Sequence, residues 1–541
     1  MKIIQPFGRH SQWLDDHEHS LLNFAVSATQ EAPRFQGVVK DPLALRAVLQ
    51  VLQQVACADN VFEGPGKHAG KPSSTHLPYK WLQGHSALPS DVETHRAVKA
   101  RSDQRAPTQD FLKARARYVE YRRRSLEQTR PLFGPWLSVH PDQLALECLS
   151  LDGSTYLRVA MKWSAFEVIG TVSPGTASVD FSKGLLTELT HLRRYKKTRL
   201  IVDSGLPEDP RGETPPLWEH SWDVADDWLK QFLYMNVAAG SASKELALDP
   251  MDILNLCLQL RRRRDKYRPS ALHVIARARE SLEFLIEPWG TRISSAQAAS
   301  ELEHSAVLKI GGRRRLLWLE PLLPFADHFH LHFHENLEPV FLSCDLGDYQ
   351  VSLGFAPLPL KESAGIALQE MRAIRSVDEF LRLRVLKVVR ESESLSTDLL
   401  CARVDLPHDD IFVALKESIG CGQLSYDLAE KNYRKRELSK PAFPTGWYRQ
   451  GNFRQEHAQA LLAAGQVLIE ASVEQEGCWH LNGTVTEQTI AFQPDLILDA
   501  DHRLLAGSCF CEQYTRHKLS RGPCTHILAV QLLHAQQSIN R

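Results

Sequence analysis

Three cysteines and one histidine near the C-terminus have the types and spacing of a metal-binding set. Cys509 and Cys511 are two residues apart, Cys524 and His526 are two residues apart, and twelve residues separate the two pairs. Thiolate sulfur and imidazole nitrogen are ligands that Zn²⁺ prefers in proteins. The sequence therefore predicts one bound Zn²⁺ with three sulfur ligands and one nitrogen ligand, and iron is the alternative metal.

The number of ligands decides what this metal would do. Four protein ligands fill a tetrahedral shell, whereas a catalytic zinc keeps one position open for water or substrate. We therefore predict a structural site. His517 and His534 are rival nitrogen donors, but His517 lies in the middle of a loop and His534 lies two helical turns beyond His526.

The elements around the ligands must bring the two pairs together. Strand signals precede Cys509, and the apolar stretch "HILAVQLLHA" predicts a helix after Cys524. In a regular helix Cys524 and His526 would diverge by about 200°, so we place them in the turn before the helix or at its start. Gly522 and Pro523 supply that turn.

The pattern C-x-C, twelve residues, C-x-H followed by "ILAVQLL" resembles the SWIM zinc finger, a β-hairpin followed by a helix. Other segments, such as "CDLGDYQVSLGF", are similar to bacterial SWIM-finger proteins that are encoded beside a MoxR-type AAA ATPase and a von Willebrand factor A protein. The resemblance implies those two proteins as partners in ATP-driven remodelling or in conflict with phage. It departs from the family at a long insertion, residues 58–110, and brings no catalytic motif.

The loop between the ligand pairs contains an aromatic residue among cations, which suits contacts with a phosphate or a base. Its alternative role is electrostatic, because a zinc ion with three thiolates carries net negative charge that nearby cations offset. The candidate contact residues are Tyr514, Arg516, His517, Lys518 and Arg521.

Residues 376–440 follow the element order of a winged helix, with one long helix, two shorter helices and a hairpin. The candidate recognition helix carries Asp409, Asp410 and Glu417 against Lys416, a charge balance that repels phosphate. We therefore interpret the segment as a protein-interaction or architectural module. DNA or RNA binding is the alternative, and its candidate contacts in the basic wing are Lys431, Arg434, Lys435 and Arg436.

A second histidine-rich segment, "HFHLHFH", alternates histidine with apolar residues. In a strand, His328, His330, His332 and His334 share one face. We predict an amphipathic strand with a wet histidine face; a metal site is the alternative, but such sites usually draw ligands from several elements.

At 541 residues the chain is too long for one hydrophobic core and predicts a multidomain α+β protein. Residues 250–285 look helical, and 305–356, including "RRRLLWLEPLLP", look like short antiparallel strands. The predicted segments are an N-terminal helical segment (1–60), a flexible insertion (61–110), an α/β and helical region (111–285) that opens with a basic helix (111–130), an antiparallel β region (286–375), a winged-helix-like domain (376–440) and a C-terminal domain (441–541) with the finger at about 500–535.

Bulk composition excludes several classes of protein. The formal net charge of −1 gives no global argument for nucleic acid, and no apolar run approaches a membrane span. Without a secretory signal pattern, and with seven cysteines scattered singly, we expect a cytoplasmic protein without a disulfide framework.

No local motif for catalysis is present in the sequence. We therefore expect a non-enzymatic, zinc-binding adaptor or recognition subunit. The alternatives are a DNA- or RNA-binding protein that uses the finger loop and the wing, and an enzyme whose dispersed site lies within 140–240.

Overall fold

The structure is a computed structural model and has a mixed α+β fold with several antiparallel sheets. It describes residues 4–58, 135–204, 220–356, 377–519 and 523–539, with short gaps at 8–10, 16–18, 28–31, 182–184, 186–187, 224–225, 264–269, 278–279, 300–304, 335–336, 393, 450–452 and 476. The predicted insertion 61–110 and the predicted basic helix 111–130 lie outside the described residues.

The N-terminal part combines a five-stranded sheet with helix α1, Pro42–Ala56. Asp41 caps this helix by accepting hydrogen bonds from the backbone N–H groups of Leu43 and Ala44, as the sequence order of Asp and Pro favours. Parallel pairing joins β3 (His19–Ala25) and β10 (Lys197–Asp203), and the other pairs of the sheet are antiparallel. In the order β2-β3-β10-β4-β8, the strands are Gln12–Asp15, His19–Ala25, Lys197–Asp203, Phe35–Val39 and Phe166–Val168. A separate two-stranded sheet pairs β1, Ile4–Phe7, with β11, His220–Asp223.

An eight-stranded antiparallel sheet forms the centre of the protein. Strands from the predicted segments 111–285 and 286–375 share this sheet, since β7 pairs with β19. One face packs into the largest apolar core together with α1. In the order β12-β17-β18-β19-β7-β6-β5-β9, the strands are Lys244–Leu248, His328–His334, Leu337–Asp345, Tyr349–Phe355, Thr155–Lys162, Gln143–Leu149, Trp136–Val139 and Gly175–Ser178.

Two local predictions in the middle of the chain are wrong. The helix predicted over 250–285 ends at Arg262 as α3, Pro250–Arg262, and its second half forms two strands of a four-stranded sheet. The predicted strand "RRRLLWLEPLLP" is a 3-10 helix over Arg313–Leu322. That sheet has the order β15-β14-β13-β16, with strands Thr291–Ala299, Ser281–Ile286, Leu272–Ala276 and Ala306–Ile310.

Residues 377–449 form a compact group of helices and strands that packs on helix α2, Asp226–Ala239, and on the eight-stranded sheet. Their apolar residues form a second core with α2. The elements, in chain order, are α4 (Glu379–Ser392), β20 (Ser394–Ser396), α5 (Thr397–Arg403), α6 (His408–Gly420), β21 (Leu424–Asp427) and β22 (Asn432–Lys435).

The C-terminal part has a third core of its own, to which the metal-ligand cysteines contribute. It contacts the rest of the protein through the turn after β26, where the Asp501 carboxylate accepts hydrogen bonds from the Ser270 backbone N–H at 3.0 Å and from its hydroxyl at 2.8 Å. The elements are α7 (Phe453–Ala463), β23 (Val467–Gln475), β24 (Cys478–Glu487), β25 (Ile490–Phe492), β26 (Asp495–Asp499), β27 (Leu504–Ser508), α8 (Glu512–His517) and α9 (Thr525–Ile539).

Two further findings concern the cysteines and the helices. None of the ten cysteines forms a disulfide in this structure. Among the helices that the structure describes, none has the length and hydropathy required to cross a bilayer.

Candidate metal centre

The four predicted ligands meet in the structure. One donor atom from each of Cys509, Cys511, Cys524 and His526 lies within 4.8 Å of the others, and all four residues are buried. The set could hold one metal ion. Three sulfur donors and one nitrogen donor in a tetrahedral set favour Zn²⁺ over other ions.

Local structure places each ligand. Cys509 and Cys511 follow β27, and Cys511 is the N-cap of α8, where its Sγ accepts a hydrogen bond from the backbone N–H of Tyr514 at 3.4 Å. Cys524 directly precedes α9, and His526 lies in the first turn of that helix, as the angular argument requires. The Arg454 guanidinium of α7 donates to the carbonyl of Pro523 at 3.1 Å, which holds the turn before Cys524.

The two ring nitrogens of His526 have different partners. Nδ1 lies 3.7 Å from the Sγ of Cys509, whereas Nε2 lies 3.0 Å from Oε2 of Glu487. Phe492 stacks on the imidazole at a centroid distance of 4.0 Å. Nδ1 is therefore the nitrogen that faces the metal position, and the carboxylate at Nε2 fixes the ring.

Glu487 also contacts His457 of α7, whose Nε2 lies 3.2 Å from Oε1. Sequence analysis missed Glu487, Phe492 and His457. They lie far from the ligand motif in sequence, and no local pattern marks them.

The thiol electrostatics favour a thiolate before any metal binds. A hydrogen bond from Cys524 lowers the pKa of Cys509 to about 4, since it stabilises the thiolate. The same bond raises the pKa of Cys524, and burial raises the pKa of Cys511. Zn²⁺ binds cysteine as the thiolate, so binding of the ion would release the thiol protons of the ligands.

The finger loop is only partly free for contacts. The Tyr514 hydroxyl donates to the carbonyl of Gly507 at 2.7 Å, so this residue supports the loop. Lys518 lies over the Tyr514 ring with its Nζ 5.0 Å from the centroid, and Arg516 forms an ion pair with Glu512 within α8. Arg516 and Lys518 are exposed. Arg521 and the side chain of His517 lie outside the described residues.

The predicted nucleic-acid contacts in the β21–β22 hairpin require correction. Arg434 and Arg436 are buried, with 2% and 0% of their surface exposed. Arg434 donates to Asp427 at 2.9 Å, and Arg436 donates to both Glu147 oxygens at 3.1 Å. Neither side chain can reach a phosphate in this structure, because Arg434 is buried in an ion pair inside the hairpin and Arg436 is buried in an ion pair with Glu147 of the eight-stranded sheet.

The other two predicted residues of this hairpin remain at the surface. Lys431 pairs with Glu245 at 2.7 Å. Lys435 is exposed and has no ion-pair partner among the residues that the structure describes.

The histidine strand β17 buries its apolar side as predicted, and Phe329, Leu331 and Phe333 are at most 1% exposed. Its histidine side is not uniformly wet, because His332 is buried and its Nε2 lies 2.7 Å from the Ser343 hydroxyl. Burial lowers the pKa of His332 to about 4. Within the described ranges, the C-terminal set is the one group of three or more His, Cys, Asp or Glu side chains with metal-site spacing.

Comparisons with known proteins assign no family. No protein-family model matches the chain, and no curated protein matches it. Among solved structures, the chain is similar to the proliferating cellular nuclear antigen of Entamoeba histolytica, with 10% identity and a TM-score of 0.28, over 43% of this chain and 91% of that chain. A similarity this low carries no argument about fold or function.

Proposed function

We propose that this chain is a non-enzymatic adaptor or recognition subunit whose C-terminal finger is held by one structural Zn²⁺. The observation that carries the proposal is that donor atoms of Cys509, Cys511, Cys524 and His526 meet in one buried cluster, because four protein ligands fill the tetrahedral shell of a structural zinc. The β26–β27 hairpin, the ligands and α9 follow the order of a SWIM finger. In this proposal the metal joins a hairpin to a helix, and the surface of the finger makes the contacts.

The group of elements from α4 to β22 supports a second part of the proposal. The element order α4, β20, α5, α6, β21, β22 supports our proposal of a winged helix, and β20 pairs with β22 as a third strand. The first turn of α6 is acidic, with Asp409 and Asp410. We propose that this group is a winged helix with an architectural role, because the buried ion pairs of Asp427 with Arg158 and of Arg436 with Glu147 fix its hairpin to the eight-stranded sheet.

Phe510 supports a contact role for the finger. It lies between two ligand cysteines, and 87% of its surface is exposed. A large aromatic side chain that is exposed in the free chain suits an anchor residue in a protein interface. The partners that we propose, from the SWIM resemblance, are a MoxR-type AAA ATPase and a von Willebrand factor A protein.

The test is copurification from the native host, with the full chain tagged and the bound proteins identified. We expect the ATPase and the von Willebrand A protein with the unmodified chain, and at least a fivefold lower yield with Phe510→Ser, about the 1 kcal/mol that an anchor side chain contributes. Leu468→Ser is the matched control, because Leu468 is an exposed apolar residue on β23, away from the ligands. Recovery of neither partner with the unmodified chain overturns the proposal.

A further inference from the structure

A small cavity of about 360 Å³ lies beside the β21–β22 hairpin, on the face opposite the buried arginines. Helix α4, the turn between α6 and β21, and the chain that continues from β22 form its walls. Its lining residues are Arg390, Gln423, Lys435, Glu437, Ser439, Lys440 and Ala442.

Strand alternation explains why the cavity is basic. The pairing of β22 continues past its end, since the N–H of Arg436 donates to the carbonyl of Gln423 at 3.1 Å. Successive side chains of an extended chain point to opposite faces. Because Arg434 and Arg436 point into the core, Lys435 and Glu437 point to the cavity side.

The described lining of the cavity contains more cations than carboxylates. Its one carboxylate, Glu437, accepts from the Arg390 guanidinium at 2.8 Å and lies 3.9 Å from the Nζ of Lys440. Lys435 has no carboxylate partner in the described part of the chain. A lysine without a carboxylate partner among the described residues, beside an arginine, favours a bound anion.

Neutral donors complete the lining. The side-chain oxygen of Gln423 accepts a hydrogen bond from Arg382 at 2.6 Å, so the amide –NH₂ group is left to donate elsewhere. The Nε of Arg390 is buried without an acceptor among the described residues. The cavity therefore offers the ammonium group of Lys435 and the amide of Gln423 as donors to a ligand.

We propose that this cavity binds a phosphate group. Phosphate presents several acceptor oxygens to donors of these kinds, and charge-assisted hydrogen bonds to Lys and Arg are the strong ones. The cavity has room for a phosphate with its attached sugar. This site is separate from the finger and does not depend on the adaptor function. The phosphate can belong to a nucleic-acid chain or to a small molecule, and the test separates these sources.

The experiment uses the full chain and two kinds of probe. Titration calorimetry with inorganic phosphate measures binding of the free group, and the anisotropy of fluorescent single- and double-stranded oligonucleotides, at several salt concentrations, measures binding of a nucleic acid. We expect Lys435→Ala to weaken binding by at least about fivefold. We expect Lys435→Arg to retain binding, because it keeps the cation.

Lys387→Ala is the matched control, because Lys387 is an exposed lysine of α4 that pairs with Glu391 and does not line the cavity. Unchanged melting temperatures show that the variants fold. If a nucleic acid is the source, Lys435→Ala also lowers the salt dependence by about 0.7 to 0.9 in the slope of log K against log salt. If phosphate alone binds and depends on Lys435, the source is a small molecule. Binding of neither probe, or equal binding by Lys435→Ala, overturns the proposal.

Discussion

The carboxylate of Glu487 lies 3.0 Å from the Nε2 of His526, on the side of the ring opposite the metal position. Glu487 is the last residue of β24, the strand that pairs with β23, β25 and β26. The ligand histidine of α9 is therefore tied to the sheet of the C-terminal part as well as to the metal. A carboxylate at this position fixes the tautomer and makes the ligating nitrogen more basic.

We predict that Glu487→Gln lowers metal affinity by about 10- to 100-fold, because the amide keeps the shape of the side chain but loses the charge that supports the imidazole. Competition with a chromophoric chelator measures this affinity. Glu474→Gln is the control, since Glu474 is an exposed carboxylate on β23 of the same sheet. Equal affinities of Glu487→Gln and the unmodified chain would show that the contact has no role in metal binding.

We predict one metal ion per chain and selective unfolding of the C-terminal part when it is lost. The ligand cysteines belong to the core of that part, so removal of the metal leaves charged or polar groups inside it. Elemental analysis measures the ion, and hydrogen exchange locates the unfolding in Cys524→Ala. Cys478→Ala is the control, because Cys478 lies on β24 outside the ligand set. A preparation with neither zinc nor iron contradicts this prediction.

The ligand set could be predicted because its members lie close together in the sequence, and the chain between them is short enough to fix their geometry. Glu487 precedes His526 by 39 residues, and a single glutamate at the end of a strand has no distinguishing pattern. The sequence therefore predicts the four ligands but not Glu487, which contacts one of them. Pairing of distant strands such as β7 and β19 is likewise absent from any local pattern.

The wrong predictions of a helix over 250–285 and of a strand over 313–322 have physical causes. In β13, Leu272, Val274 and Ala276 are buried at a spacing of two, which is the period of a strand. Helix α3 ends at Arg262, within a run of arginines, and Pro269 follows seven residues later. In the 3-10 helix, Arg315 is fully buried and donates to the carbonyls of Ser154 and Ala356, so an apparent surface residue has a core position.

The burial of Arg436 leads to a prediction about stability. Its guanidinium donates to Glu147, which also accepts hydrogen bonds from Tyr156 at 2.5 Å and from Asn236 at 3.2 Å. We predict that Arg436→Met destabilises the protein by about 3 to 5 kcal/mol, because the carboxylate stays buried without its cation. Calorimetric melting measures the loss.

The matched variant combines Arg436→Met with Glu147→Leu. Because the double variant leaves no unpaired charge, we expect it to recover a large part of the lost stability. Equal destabilisation by the single and double variants would mean that packing, rather than the unpaired charge, determines the cost.

The last prediction concerns the stability of the protein in mild acid. Burial lowers the pKa of His332 to about 4, and Glu245 opposes this shift while His330 and Lys431 add to it. Burial, with the nearby Arg434 and Arg158, lowers the pKa of a second histidine, His140, to about 3. Both values lie below the ordinary histidine pKa of 6.5 that the unfolded chain has.

The unfolded chain therefore binds protons near pH 6.5, whereas the folded protein binds them only near pH 4 or below. Stability is fully present above pH 6.5 and falls as the pH is lowered from 6.5 toward 4. We expect His332→Gln to flatten this dependence in melting temperatures, because glutamine can keep the hydrogen bond to Ser343 and does not titrate. His328→Gln, on the exposed end of the same strand, is expected to leave the dependence unchanged. A slope in His332→Gln as steep as in the unmodified chain would show that other groups cause the acid sensitivity.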